Sequence, residues 1–201
     1  MANTDPIKKR FDGYLPIVVD IETSGVDFQK NAILEIAAVR VDYNDAGDMI
    51  PVGDFACHVT PFEGARLDED ALKITGIDPF HPFRFDIHEL DALTQLFHFV
   101  QKALDETGCR RAVLVGHNAH FDLSFILAAV KRCKLKATPF HAFTVFDTAT
   151  LSGLVFGKTV LAKALRSARL GFNKHEAHSA IYDAKQTAAL FCHIVNKVAK
   201  P

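Results

Sequence analysis

The sequence predicts an α/β fold, a mixed β-sheet flanked by α-helices, in one domain spanning residues 1–201. Three observations lead there. The first 61 residues hold three β-rich apolar runs. From residue 67 onward apolar residues recur mostly at helical spacing, with a further strand-like run between helices. No repeat, low-complexity segment or linker divides the chain, and 201 residues suffice for one core.

"LPIVVDIE" (15–22) is nearly continuously apolar and reads as a buried strand. After the turn at Ser24-Gly25, "AILEIAAVRVD" (32–42) reads as a second strand and "DFACHVTP" (54–61) as a third, closed by Pro61. "YNDAGDMIPVG" between them is turn chemistry. "LDEDALKITGI" (67–77) predicts a short helix with an acidic first turn, closed at Gly76. "HPFRFD" (81–86) reads as a loop. Leu90, Leu93, Phe97, Val100 and Leu104 recur at helical spacing, with Gly108 past the end. "RRAVLVGHN" (110–118) is a strand breaking at Gly116, and "FDLSFILAAVKRC" (121–133) a helix with a basic end. After "TVFD" (144–147) the chain is mostly helical. The last helix starts at Ser179 as N-cap and buries Ala184, Ala188, Phe191, Val195 and Val198.

Composition narrows the function classes. The chain is 49% hydrophobic and 23% charged with a formal net charge of −1, so bulk charge does not draw it to nucleic acid. Such binding requires local basic patches or bound metal. Cys57, Cys109, Cys133 and Cys192 form no C-x-x-C pair, which fits reduced thiols in a cytoplasmic protein. The opening "MANTDPIKKRFDGY" has no apolar stretch and does not read as a signal peptide. No apolar run approaches the ~20 residues needed to span a membrane.

The acids carry the chemistry. Side chains alternate along a strand, so Asp20 and Glu22 point the same way. Two close carboxylates repel unless one is protonated or a cation lies between them, and a hard divalent cation suits oxygen ligands. Taken alone, the pair is better read as a strand end exposing acids to water. In "HNAHFDLSF" (117–125), Asp122 falls near a helix start, where capping or the helix dipole would also favour it. In "HEAHSAIYDA" (175–184), Asp183 falls in the first turn of the last helix and His178 just before it. A dipole preference and a surface histidine are the plain alternatives there.

Together these stretches read D-I-E-T, H-N-x-x-F-D and H-S-A-x-x-D, and they resemble the DEDDh family of 3′→5′ exonucleases, which has a ribonuclease-H-like fold. The resemblance covers nearly the whole chain and carries four acids, Asp20, Glu22, Asp122 and Asp183, plus His178. It implies hydrolysis assisted by two divalent cations, Mg²⁺ or Mn²⁺, whose charges balance the four carboxylates. It further implies that Asp20 bridges both ions, Glu22 and Asp183 complete the tighter site, Asp122 holds the second ion mostly through water, and His178 takes the proton from the attacking water. His117 and Asn118 would orient the loop before Asp122, and Asp147 in "FDTATL" would support rather than ligate.

"AILEIAA", "ITGI", "TPFHAF", "FDTATLSGL" and "TVLAKA" are similar to the branch of the family that trims 3′ ends of tRNA and other stable RNAs. That similarity implies base stacking by Phe121 and Phe143, with Val26 and Ile74 at two positions where the branch has rings. It also implies phosphate binding by Arg10, Arg111 and Lys136, acting on the partner protomer's site in a homodimer, although Asp12 and Asp105 fall where basic residues are expected. The reading is an exoribonuclease acting on RNA 3′ ends, possibly also on single-stranded DNA. A DNA-trimming or proofreading exonuclease is the alternative. A non-enzymatic binding module would be favoured by the loss of an acid, and none is lost.

Overall fold

The apolar run that opens the sheet, β1 (Tyr14–Thr23), lies at its centre. The computed structural model describes residues 6–199; positions 1–5 and 200–201, the two ends of the expected domain, lie outside the described residues. The strand order is β3-β2-β1-β4-β5. β2 (Ile33–Tyr43) is antiparallel to β1, and β3 (Met49–His58) to β2. β4 (Arg111–Gly116) runs parallel to β1, and β5 (Phe140–Asp147) parallel to β4. This is the mixed sheet the sequence predicts.

Consecutive residues Ile17, Val18 and Val19 are all fully buried, so both faces of the central strand are covered. The covering helices are α1 (Pro6–Arg10), α2 (Glu69–Thr75), α3 (Glu89–Thr107), α4 (His120–Arg132), α5 (Thr148–Phe156), α6 (Leu161–Ser167) and α7 (Ala180–Ala199). In α3 the stripe Leu93, Leu96, Val100 and Leu104 faces the core. In α7 Ala184, Ala188, Phe191 and Val195 do so, as their spacing predicts.

Several boundaries differ from expectation. β3 begins at Met49 rather than Asp54, because the chain reverses within a tight turn. Asn44 Oδ1 accepts from the amides of Ala46 and Asp48 there, and pairing resumes at once with Tyr43↔Met49. Pro51 is accommodated because β3 is an edge strand and the register shifts between Arg40 and Val41. β5 has no counterpart among the expected strands: Arg111 donates to the Phe140 carbonyl and ties the segment to β4. Leu90 is exposed in the first turn of α3 and drops out of the buried stripe. Val198, expected in the core, is 62% exposed. The Asn196 side chain clasps the backbone of Met49, accepting from its amide at 2.7 Å and donating to its carbonyl at 2.9 Å. Val198 lies beyond that clasp, in the last turn of α7.

Candidate active site

β1 outruns its parallel neighbour: the last β1–β4 pair is Val18↔Val115, and β4 turns away at Gly116. The rim beyond the carboxyl ends of parallel strands is where such sheets place ligands. Here it carries Asp20 and Glu22 on one face. The Ile21 amide, left without a β4 partner, donates to Asp122 Oδ1 at 3.1 Å across 101 residues of chain. That bond draws the first turn of α4 onto β1. It requires Gly116, because a Cβ there would lie 3.1 Å from Asp122 Oδ2 and 3.0 Å from Ala119 Cα.

The loop before α4 is held from β5. Asp147 caps α5 by accepting from the amides of Ala149 and Thr150, and accepts from the Asn118 amide at 2.8 Å. Burial alone would raise its pKa, but these bonds and the Thr150 hydroxyl hold it below the ordinary range. Asn118 adopts a left-handed conformation, φ 70°. His117 Nε2 lies 2.8 Å from the Thr159 carbonyl, which can only accept, so Nε2 carries the hydrogen. Burial lowers the pKa of His117. Its Nδ1 lies 3.0 Å from Thr148 Oγ1, whose hydroxyl also reaches the Gly116 carbonyl at 3.1 Å. The supporting roles read for His117, Asn118 and Asp147 thus have a geometry to rest on.

α7 brings in the last acid. The Asp183 amide donates to the Ser179 carbonyl, the first helical bond of α7, and Asp183 Oδ2 accepts from the His178 amide at 3.0 Å. That second bond holds His178 in a left-handed conformation, φ 67°, which is costly outside glycine without such support. Ligand atoms of Glu22, His178 and Asp183 lie within 4.8 Å of one another.

One residue that braces the cluster escaped the sequence reading. Glu35 is level with Glu22 across the β1–β2 ladder, and His58 is level with Glu35 on β3. Glu35 Oε1 lies 3.1 Å from His58 Nδ1, and Oε2 accepts from the Ala180 amide at 3.1 Å. Glu35 therefore ties the start of α7 to the sheet beside Glu22. Its only signal was an acid within an otherwise apolar strand run. We expect Glu35→Gln, which keeps an acceptor for the Ala180 amide, to retain most activity, and Glu35→Ala to lower it about tenfold by freeing the α7 start, as measured by steady-state turnover.

The acids strain one another. The pKa of Asp20 is pushed well above the carboxylate range by burial and by the charges of Asp122, Asp183 and Glu22. Glu22 is pushed up to about 8 by burial and by Asp183, Glu35 and Asp122. Asp122 also rises to about 8 through burial, despite the Ile21 amide, and Asp183 rises for the same reason. The charges acting on Asp20 and Glu22 are those of neighbouring carboxylates. An all-oxygen cluster with this deficit of positive charge fits hard divalent cations.

The sign of the pH dependence follows. Carboxylates with raised native pKa values stabilise the fold at low pH, and that contribution is lost as pH climbs from the unfolded value through about 8. In chelator the melting temperature should fall from about pH 5 to about pH 8, and excess Mg²⁺ should restore more of it at the higher pH. A Mg²⁺ effect independent of pH would contradict this.

The remaining expected site residues divide. Phe121 neighbours Asp122 and is 36% exposed. Val26 and Ile74 are exposed, with no ring at either position. Arg10, Arg111, Lys136 and Phe143 lie toward the opposite ends of the parallel strands, where Tyr14, at the start of β1, is level with Arg111. Phe143 projects from a bulge in β5, 82% exposed, in a cleft shared with Tyr14, Arg110 and Arg111. Asp12 lies 3.5 Å from Arg110, and Asp105 accepts from Gln101. Among the described residues no helix is long and apolar enough to cross a membrane.

The chain is similar to known proteins. Residues 17–191 match the RNase_T exonuclease family. The chain is 53% identical over 192 residues to Ribonuclease T of Vibrio cholerae, covering 95% of this chain and 86% of that one. It superposes on a full-length 3′-exonuclease with a TM-score of 0.72 at 17% identity, covering 92% of this chain and 62% of the other. It superposes on E. coli Exonuclease I in complex with a dT13 oligonucleotide with a TM-score of 0.68 at 14% identity, covering 92% of this chain and 42% of that longer one. At such identities the superpositions speak for the fold, which is the ribonuclease-H-like architecture expected. With a match over most of its length and half its residues identical to a relative, the chain belongs to the RNase_T family of exonucleases.

Proposed function

We propose that the protein is a metal-dependent 3′→5′ exoribonuclease that trims short single-stranded 3′ tails of tRNA and other stable RNAs, releasing nucleoside 5′-monophosphates. The observation that carries this is the convergence of Asp20, Glu22, Asp122 and Asp183, whose burial and mutual repulsion raise their pKa values, in a chain half identical to a Ribonuclease T. Two Mg²⁺ ions, or Mn²⁺ in their place, would be held by these four carboxylates; when bound they supply a nucleophile at neutral pH and stabilise the leaving oxygen. The protein's own part is to aim. Asp20 and Glu22 are fixed by the β1 pleat, Asp122 by the Ile21 amide, and Asp183 by the start of α7. His178, on a loop clamped by Asp183, takes the proton from the attacking water, since imidazole suits proton transfer near neutral pH. Reduced thiols fit work in the cytoplasm: none of the four cysteines is in a disulfide, and burial pushes Cys57 to about 11 and Cys192 to about 12.

A DNA-trimming or proofreading exonuclease would use the same acids, and Exonuclease I, solved with dT13, shares the fold. The test offers the protein with Mg²⁺ a tRNA carrying its 3′ tail and a DNA duplex with a 3′ overhang. Faster mononucleotide release from the tRNA supports the RNA reading, and the reverse order overturns it.

We further propose a homodimer in which Arg10, Arg111, Lys136 and Phe143 serve the neighbouring protomer. This is supported by their position at the far end of the sheet from the protomer's own acids. Mixing an Asp20→Asn subunit with an Arg111→Ala/Lys136→Ala subunit should then recover activity toward tRNA. A fully active monomer, by light scattering at assay concentration, would end this idea.

A further inference from the structure

Behind the acids, the outer side of α4 borders a cleft of about 690 Å³ that the proposed chemistry does not use. Phe28, Ser124, Leu127, Lys131 and Arg132 line it, and no Asp or Glu does. α4 carries Asp122 in its first turn and Lys131 in its last, about 14 Å of helix apart, and the cleft runs along the side of α4 turned away from Asp122. Two partly exposed rings stand near its Ser124 end. Phe121 leans on the buried Phe125 at 4.9 Å, and Phe28 meets the same ring edge-on at 6.5 Å. Phe125 thus holds both rings in place while leaving them surface to offer. At the far end Lys131 makes no ion pair among the described residues. Arg132 is already spoken for, with its guanidinium on Glu89 at 2.6 Å and over the Phe62 ring at 3.8 Å.

We propose that this cleft binds the nucleotides of the substrate's single strand lying upstream of its 3′ end, with Phe28 stacking on a base and Lys131 meeting a phosphate. The inference rests on the exonuclease reading, because a strand whose terminus sits among the acids must leave along some path. This cleft starts at Ser124, less than one turn along α4 from Asp122, is aromatic at that end through Phe28, is lined by no acid and is basic at its other end. It suits the paired stacking platform and cationic track that single strands require. Phe28 thereby provides, from a different position, a ring that Val26 does not.

The test measures binding in an Asp20→Asn background, where no turnover occurs, using fluorescently labelled RNA oligomers of two and of six nucleotides. Adding Phe28→Ala and Lys131→Ala should weaken the six-nucleotide ligand about tenfold to a hundredfold and leave the two-nucleotide ligand unchanged. Phe28→Trp should bind the longer ligand at least as tightly as the parent. Equal affinity of variant and parent for both lengths, or an equal loss for both, overturns the cleft assignment. If the unmodified protein releases no mononucleotides from any nucleic acid, the exonuclease reading itself fails, and that outcome is separate from the length dependence.

Discussion

Asp20→Asn is expected to abolish nucleotide release while leaving the fold intact, and Asp183→Asn to do the same. Each acid offsets part of the charge of the cations the site would hold, and the geometry offers no substitute. A further carboxylate beside them, Glu35, is committed to His58 and the Ala180 amide. The same replacement relieves repulsion in metal-free protein, since the charges pressing on Asp20 are those of Asp122, Asp183 and Glu22. Stability without metal should therefore hold or rise, and each 1 kcal/mol gained would lift the melting temperature by about 2–4 °C for a chain of this size. Mononucleotide release assayed on protein purified to homogeneity checks the first part, and calorimetry in chelator the second. Substantial nuclease activity in Asp20→Asn would sink the two-metal assignment.

His178→Ala should slow the chemical step by roughly 10²–10⁴-fold, the scale of a lost general base. The ring lies close to Glu22 and Asp183, near enough to hold a metal with them, so two roles must be separated. A general base leaves Mn²⁺ affinity unchanged, flattens the alkaline rise of the rate with pH, and is partly replaced by added imidazole. A ligand instead lowers Mn²⁺ affinity in the variant. Single-turnover rates across pH, with metal binding followed by titration calorimetry, distinguish them. An unchanged rate near neutral pH would make His178 a bystander.

Much of this protein is written locally. Period-two alternation places Asp20 and Glu22 on one side of β1 whatever surrounds them, and the unbroken apolar run about them already requires a sheet covered on both faces. The stripe of Ala184, Ala188 and Phe191 marks the buried side of α7 by helical period alone. The constellation of four acids and His178 was legible as spaced motifs, because each motif is a short-range pattern at the end of an element. Where partners lie far apart in sequence, periodicity had nothing to say. β3 runs longer than its propensity suggests, because ladder pairing with β2 extends it, and β5 is a strand no local pattern marked, tied to β4 by the Arg111 bonds. Glu35 looks like a stray acid on a strand until β3 and α7 supply His58 and the Ala180 amide. Arg84, in a segment that reads as an ordinary loop, is buried and donates to the carbonyls of Leu34 and Val59. Phe28 becomes a candidate base platform only because α4 brings Phe125 beneath it. The sequence by itself determined the fold class, the central strand and the chemical character of the site. Tertiary structure decided which residues hold that site in shape and where a strand could leave it, because those depend on contacts between segments that no local period relates.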